Sequence, residues 1–198
     1  MSISLCLNHF LIDPFYIMLP LSKRKSLLSV ALNISKDFSV LSKKIGCSAQ
    51  TLRYFNSKDQ RYIKAKFLKK LLYLTSTPPS QIEEFISIKR GCSNHPLDIK
   101  LPLEISSDLS FLIAKSMGDG GIASDLRFHY TNSQYNLIRE VIASVKKALG
   151  KTEYHLQKRV SRGTYDLKFP SVVGFILNYF GAPLVKKLIA HLKYLIGL

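Results

Sequence analysis

The hydrophobic period changes near residue 97, and that change limits the folds open to this chain. Before it, apolar residues recur at three- and four-residue spacing in residues 25–34, 38–45, 48–55, 63–74 and 80–88, which predicts short helices separated by turn residues. After it, residues 107–117 read as an apolar helix, 126–130 alternate like a strand, and 134–149 form an amphipathic helix. Residues 154–160 and 165–169 are strand-like, and 172–180 and 184–196 are helical again. The expected class is therefore α+β: an all-α domain at 23–90, a linker at 91–106 carried by GCSNHPLDIKLP, and a mixed domain at 107–198. Residues 1–22 stay unassigned. Their apolar run is interrupted by Asp13 and Pro14, lacks a basic start and a cleavage site, and is too broken to span a membrane; Met18 is an alternative start.

Charge narrows the partner. The 198 residues carry 29 Lys and Arg against 13 Asp and Glu, a net +16, with 46% hydrophobic content, enough for a buried core. The excess is shared: 16 basic against 6 acidic residues in 1–100, and 13 against 7 in 101–198. Two surfaces facing a polyanion, most simply double-stranded DNA, account for this better than a single basic tail. No small-molecule substrate and no membrane partner are expected. Cys6, Cys47 and Cys92 lie far apart with no CxxC pair, which argues against a zinc site or a disulfide framework and for a reducing, cytoplasmic, nucleoid-associated setting.

The segment DFSVLSKKIGCSAQTLRYF places Leu41, Ile45, Leu52 and Phe55 on facing sides of two short helices, with Gly46 in the turn and Ser48 as an N-cap. Cys47 reads as a small buried hydrophobe. Gln50, Arg53 and Tyr54 occupy the exposed side of the second helix, where Gln suits adenine and Arg suits guanine in the major groove. Lys58, Arg61 and Lys64 suit phosphates, in a stretch where basic residues far outnumber Asp59. Residues 26–87 resemble the phage-repressor type of helix-turn-helix domain, which implies a helical bundle presenting its third helix to DNA.

The segment SDLSFLIAKSMGDGGI ends an apolar helix on an acid between glycines, and Gly118 and Gly120 would allow close backbone approach. Downstream lie FHYTNSQYNLIREVIASVKKALG and YDLKFPSVVGFILNYFGAPLVKK. In this order, residues 109–187 resemble the LAGLIDADG homing endonuclease family. The resemblance implies a single αββαββα domain that pairs through its 107–118 helix into a homodimer. It further implies that Asp119 and the Gly118 carbonyl hold Mg²⁺, and that Asn132 orients a water or phosphate. Lys168 is the nearest candidate for a basic residue at the metal centre, where the chain otherwise has Phe169 and Pro170. Arg127, His129, Lys158, Arg159, Arg162 and Lys168 are expected to form a basic saddle, and Lys186 and Lys187 to touch the DNA backbone. Only Ala123, Ser124 and Asp125 separate GDGGI from the next strand, which shortens the reading surface. His155 and His191 lack partners for a nucleophilic triad.

The leading expectation is a Mg²⁺-dependent, site-specific DNA endonuclease. The alternative is a sequence-specific transcriptional regulator that keeps the fold without cleavage.

Overall fold

The computed structural model describes residues 3–57, 61–83, 86–91 and 93–185. In chain order the elements are β1 (Ser4–Leu5), β2 (Phe15–Met18), α1 (Leu21–Ser35), α2 (Phe38–Ile45), α3 (Ala49–Asn56), β3 (Ile63–Lys64) and α4 (Ala65–Leu74). Next come β4 (Ile86–Arg90), β5 (Leu97–Ile99), β6 (Leu103–Glu104), α5 (Ser107–Met117), β7 (Gly120–Ile122), β8 (Phe128–Asn132) and α6 (Tyr135–Ala148). β9 (Lys151–Thr152), β10 (His155–Arg159), β11 (Thr164–Phe169) and α7 (Ser171–Tyr179) follow. The class is mixed α+β with antiparallel strand ladders. Two units emerge: Cys6–Cys92 with Ile99–Pro102, and Met1–Leu5 with Ser93–Asp98 and Leu103–Leu198.

In the first unit, local signals set the helix ends. The Asp37 carboxylate accepts from the Ser39 and Val40 amides at 2.6 and 2.8 Å and so starts α2. Gly46 ends it at φ 81°, and Ser48 Oγ accepts from the Thr51 amide at 3.0 Å to start α3. Leu41, Ile45, Leu52 and Phe55 are all buried, and α1 and α4 pack around the pair with Leu28, Ala31, Leu68 and Leu71.

This unit is not all-α. β2 pairs antiparallel with β3 and with β4, so that Ile17 lies opposite Ile63 on one side and Ile88 on the other. The helix expected at 80–88 is instead a 3-10 turn at Pro79–Gln81 followed by β4, whose Ile86 and Ile88 are buried and whose β-branched side chains suit a pleated strand. The unassigned opening supplies core as well: Leu7, Phe10, Leu11, Phe15 and Ile17 are buried, and the Phe10 and Phe15 rings meet edge to face at 5.4 Å.

In the second unit, a four-stranded sheet runs in the order β10, β11, β8, β7. Its buried face carries Phe128, Tyr130, Leu167 and Phe169, against which α5, α6 and α7 pack. Ile138, Val141 and Val145 form the apolar stripe of α6, and Ser144 Oγ donates to Asp108 Oδ1 across to α5 at 3.1 Å. The expected linker also pairs: Leu103–Glu104 joins Ser4–Leu5, and Leu97 lies opposite Thr152. The strand expected at 126–130 begins only at Phe128, because Leu126 turns through φ 68° and its amide donates to the Ala123 carbonyl. The helix expected at 184–196 lies outside the described residues beyond Val185.

Candidate nucleic-acid interface

Pairing register decides which side chains share a face, because side chains opposite one another in an antiparallel ladder project the same way. His129 lies opposite Lys168, which lies opposite His155; Thr131 lies opposite Asp166, which lies opposite Gln157. These residues, with Arg159 opposite Thr164, occupy the face away from buried Phe128 and Tyr130. The expected saddle is therefore only partly realised. Lys158 pairs with Tyr165 on the helix-facing side, its ammonium 5.7 Å from the Tyr165 ring centre. Successive residues of a strand point to opposite faces, so Lys158 and Arg159 cannot share one. Arg162 sits on a 3-10 turn between β10 and β11, and Arg127 precedes β8.

Two of the remaining cations already have acidic partners. Arg159 forms an ion pair with Asp166, which is 5% exposed and also accepts from Thr131 Oγ1 at 2.9 Å. The Arg127 Nε donates to Asp125 Oδ2 at 2.6 Å. Both arginines keep part of their surface in solvent, so each can still face a polyanion.

His129 is the titratable centre of this face. Burial pushes its imidazole below the usual range, and the positive charges of Lys168 and Arg127 push the same way against Asp125 and Asp166. The sign follows. The unfolded chain takes up the proton first, so the stability tied to neutral His129 is present at neutral pH, begins to fall as pH drops through about 6.5, and levels off below the folded value. A His129→Asn variant is expected to lose part of the acid-side fall in a urea-unfolding series between pH 7.5 and 5. An unchanged slope would remove His129 as its source.

Beside β8, Asp119 follows α5 and leads into the edge strand β7. Its carbonyl accepts from the Thr131 amide at 3.2 Å, which fixes it beside β8. Asn132 Nδ2 donates to Asp119 Oδ2 at 2.8 Å and reaches Tyr130 Oη at 3.5 Å, while Asn132 Oδ1 accepts from the Gln134 amide at 2.8 Å. Both ends of the Asn132 amide thus have a partner within the chain, and one of them is the Asp119 carboxylate. Of the two glycines flanking Asp119, Gly120 is the one the backbone approaches closely: a Cβ there would lie 2.7 Å from the Lys115 carbonyl oxygen and 2.9 Å from that of His129. Gly118, expected to serve this purpose, has ordinary clearance, with its nearest neighbour at 3.8 Å.

Lys115 was not singled out in the sequence. Its ammonium lies 5.2 Å from the Phe111 ring centre and 5.9 Å from that of Tyr130, one helical turn before Asp119. The signal was present as the single cation in SFLIAKSM. Lys168 lies opposite His129, two residues along β8 from the Thr131 position that holds Asp119.

For a divalent ion, one chain supplies only part of a donor set. Asp119 offers an exposed carboxylate held through Oδ2, and among the described residues no group of three His, Cys, Asp or Glu could hold a metal. Mg²⁺ prefers six oxygens, so these residues fit it only as half of a site completed by a second copy and by water. On α5, Leu109, Leu112 and Ser116 are buried, whereas Ser110, Ala114 and Met117 are exposed on another side.

In the first unit, Gln50, Arg53 and Tyr54 are exposed along α3 as expected, opposite buried Leu52 and Phe55. The Arg53 guanidinium lies 5.8 Å from the Phe38 ring centre, and that of Arg61 lies 5.3 Å from the Tyr54 ring. Cys47 is half-buried, and burial pushes its thiol up against the opposing charge of Lys70. Lys58, Lys186, Lys187 and His191 lie outside the described residues. No described helix is long and apolar enough to cross a membrane. Compared with models of known families, curated proteins and solved structures, the chain matches none.

Proposed function

We propose that this chain is a double-stranded DNA-binding protein of the LAGLIDADG homing endonuclease type, joined to a helix-turn-helix of the phage-repressor type formed by α2 and α3. The carrying observation is the sheet face bearing His129, Lys168, Arg159 and neighbouring Arg127, in the same unit as an oriented carboxylate, Asp119. The open face grips the phosphate backbone, and the exposed side of α3 supplies base readout through Gln50 and Arg53.

As an enzyme it is a homodimer joined through α5, with Asp119 and the Gly118 carbonyl of each copy as metal ligands. Mg²⁺ bound there supplies Lewis-acid polarisation of the scissile phosphate and a water more acidic than bulk. Asn132 holds Asp119 in one orientation, and Lys115 places a positive charge one turn before it. The second reading, a binding-only regulator, is favoured by the lack of a three-ligand group around Asp119 among the described residues.

Incubating the protein with a random duplex library, with and without Mg²⁺, and sequencing bound fragments and cut ends separates these readings. Mg²⁺-dependent cuts at a recurring site establish the nuclease. An enriched sequence without cuts establishes the regulator, and no enrichment over input overturns both.

A further inference from the structure

The first unit carries a cationic and aromatic surface of which the readings above use only Lys64. In the β3, β2, β4 arrangement, Tyr16 lies opposite Lys64 on one side and Lys89 on the other, so these three side chains form one row across the strands. The row projects away from Phe15, Ile17, Ile63 and Ile88, which are buried on the opposite face. Lys64 is exposed, and Tyr16 and Lys89 are half-exposed. The Lys89 ammonium stands 4.8 Å from the Tyr62 ring centre and 5.7 Å from that of Tyr16. Among the described residues neither Lys64 nor Lys89 pairs with a carboxylate. Arg61, two residues before β3, stacks on Tyr54 and so links this row to the exposed side of α3.

We propose that the Lys64, Tyr16 and Lys89 row is a second nucleic-acid contact of the first unit, binding the sugar-phosphate backbone of the duplex that α3 reads. It rests on the DNA-binding reading and adds to it the surface that anchors α3. Charge complementarity selects the occupant: two cations without a carboxylate partner among the described residues, set two strands apart across Tyr16, match successive phosphates of a backbone. Holding Lys89 against two tyrosine rings restricts a long side chain in advance, which lowers the entropy lost when it meets a phosphate. The contact carries no sequence information, because it reads phosphate rather than base edges. Its role is to fix the register and angle of α3.

The test uses the full chain and a random 30-base-pair duplex, titrated across a salt series. Lys64→Gln combined with Lys89→Gln is expected to weaken binding equally on all sequences and to flatten the slope of log affinity against log salt by about 2, close to 1 per lost phosphate contact. Lys89→Arg, which keeps the charge and the ring stacking, is expected to retain the wild-type slope. Lys64→Gln alone, at an exposed side chain, keeps the proposal open to refutation if the double variant unfolds; it is expected to flatten the slope by about 1. An unchanged slope in folded variants, with the wild type still binding, overturns this contact and leaves the DNA reading standing. A wild type without salt-dependent duplex binding overturns both. A loss seen only on single-stranded oligonucleotides overturns the assignment to duplex.

Discussion

Gly174→Ala is expected to cost the second unit about 3 kcal/mol and to lower its thermal midpoint by about 10 °C. Gly174 lies in α7, and an added Cβ would overlap the Leu126 carbonyl oxygen and fall 2.9 Å from its carbon and 3.1 Å from Ile122 Cγ2. The neighbour cannot move aside cheaply. Leu126 is held in a left-handed turn at φ 68°, with its amide bound to the Ala123 carbonyl at 2.8 Å and the Ala123 amide bound to Arg127 at 3.0 Å. Relief would therefore have to shift α7, which buries Val172, Val173, Ile176 and Leu177. Gly118→Ala is the comparison for space, since its Cβ would meet nothing closer than 3.8 Å. Thermal scans followed by circular dichroism should show a large fall in the first variant and a small change in the second; equal midpoints would show that α7 and the β7–β8 turn adjust without cost.

That contrast shows what was legible in the sequence. The residues 38–45 and the glycine after them could be placed because cap, period and turn chemistry agree over a few positions: Asp37, Gly46 and Ser48 each act on the adjacent backbone. The close approach at Gly174 could not, because it depends on a turn nearly fifty residues earlier. β4 was hidden for the same reason. ISIKR alone fits a short helix or a strand, and its partner FYIM lay about seventy residues upstream, in a stretch with no pattern of its own. The charged row failed at a different step. Alternation already forbids Lys158 and Arg159 from sharing a face, but which of them joins His129 depends on the β8 to β11 to β10 register. The Asp119 and Asn132 pair was within reach, since both stand in motifs read in order. What the sequence withheld was that the amide of Asn132 bonds both the carboxylate and the Gln134 amide.

Asp119→Asn should therefore separate chemistry from binding. If the chain is a nuclease, the loss of a negatively charged oxygen donor is expected to cut the Mg²⁺-dependent cleavage rate by at least about 10³-fold, because no other carboxylate joins Asp119 in a metal-holding group of the described residues. Affinity for duplex DNA without metal should stay within a few-fold of wild type or tighten, since an exposed carboxylate near phosphates repels them weakly through water. Asn132→Ala provides the graded companion. Asp119 keeps its charge but loses the 2.8 Å hydrogen bond that fixes Oδ2, and an orienting partner of a metal ligand commonly contributes 10- to 100-fold. Cleavage in that variant is expected to fall by about that factor, with partial recovery at raised Mg²⁺, a recovery that Asp119→Asn should not show. Single-turnover cleavage across a Mg²⁺ series, beside a binding titration in chelator, reads all of these. Equal, uncut binding by the wild type and both variants would assign the carboxylate no role in hydrolysis and leave the sheet face and α3 as the whole of the function.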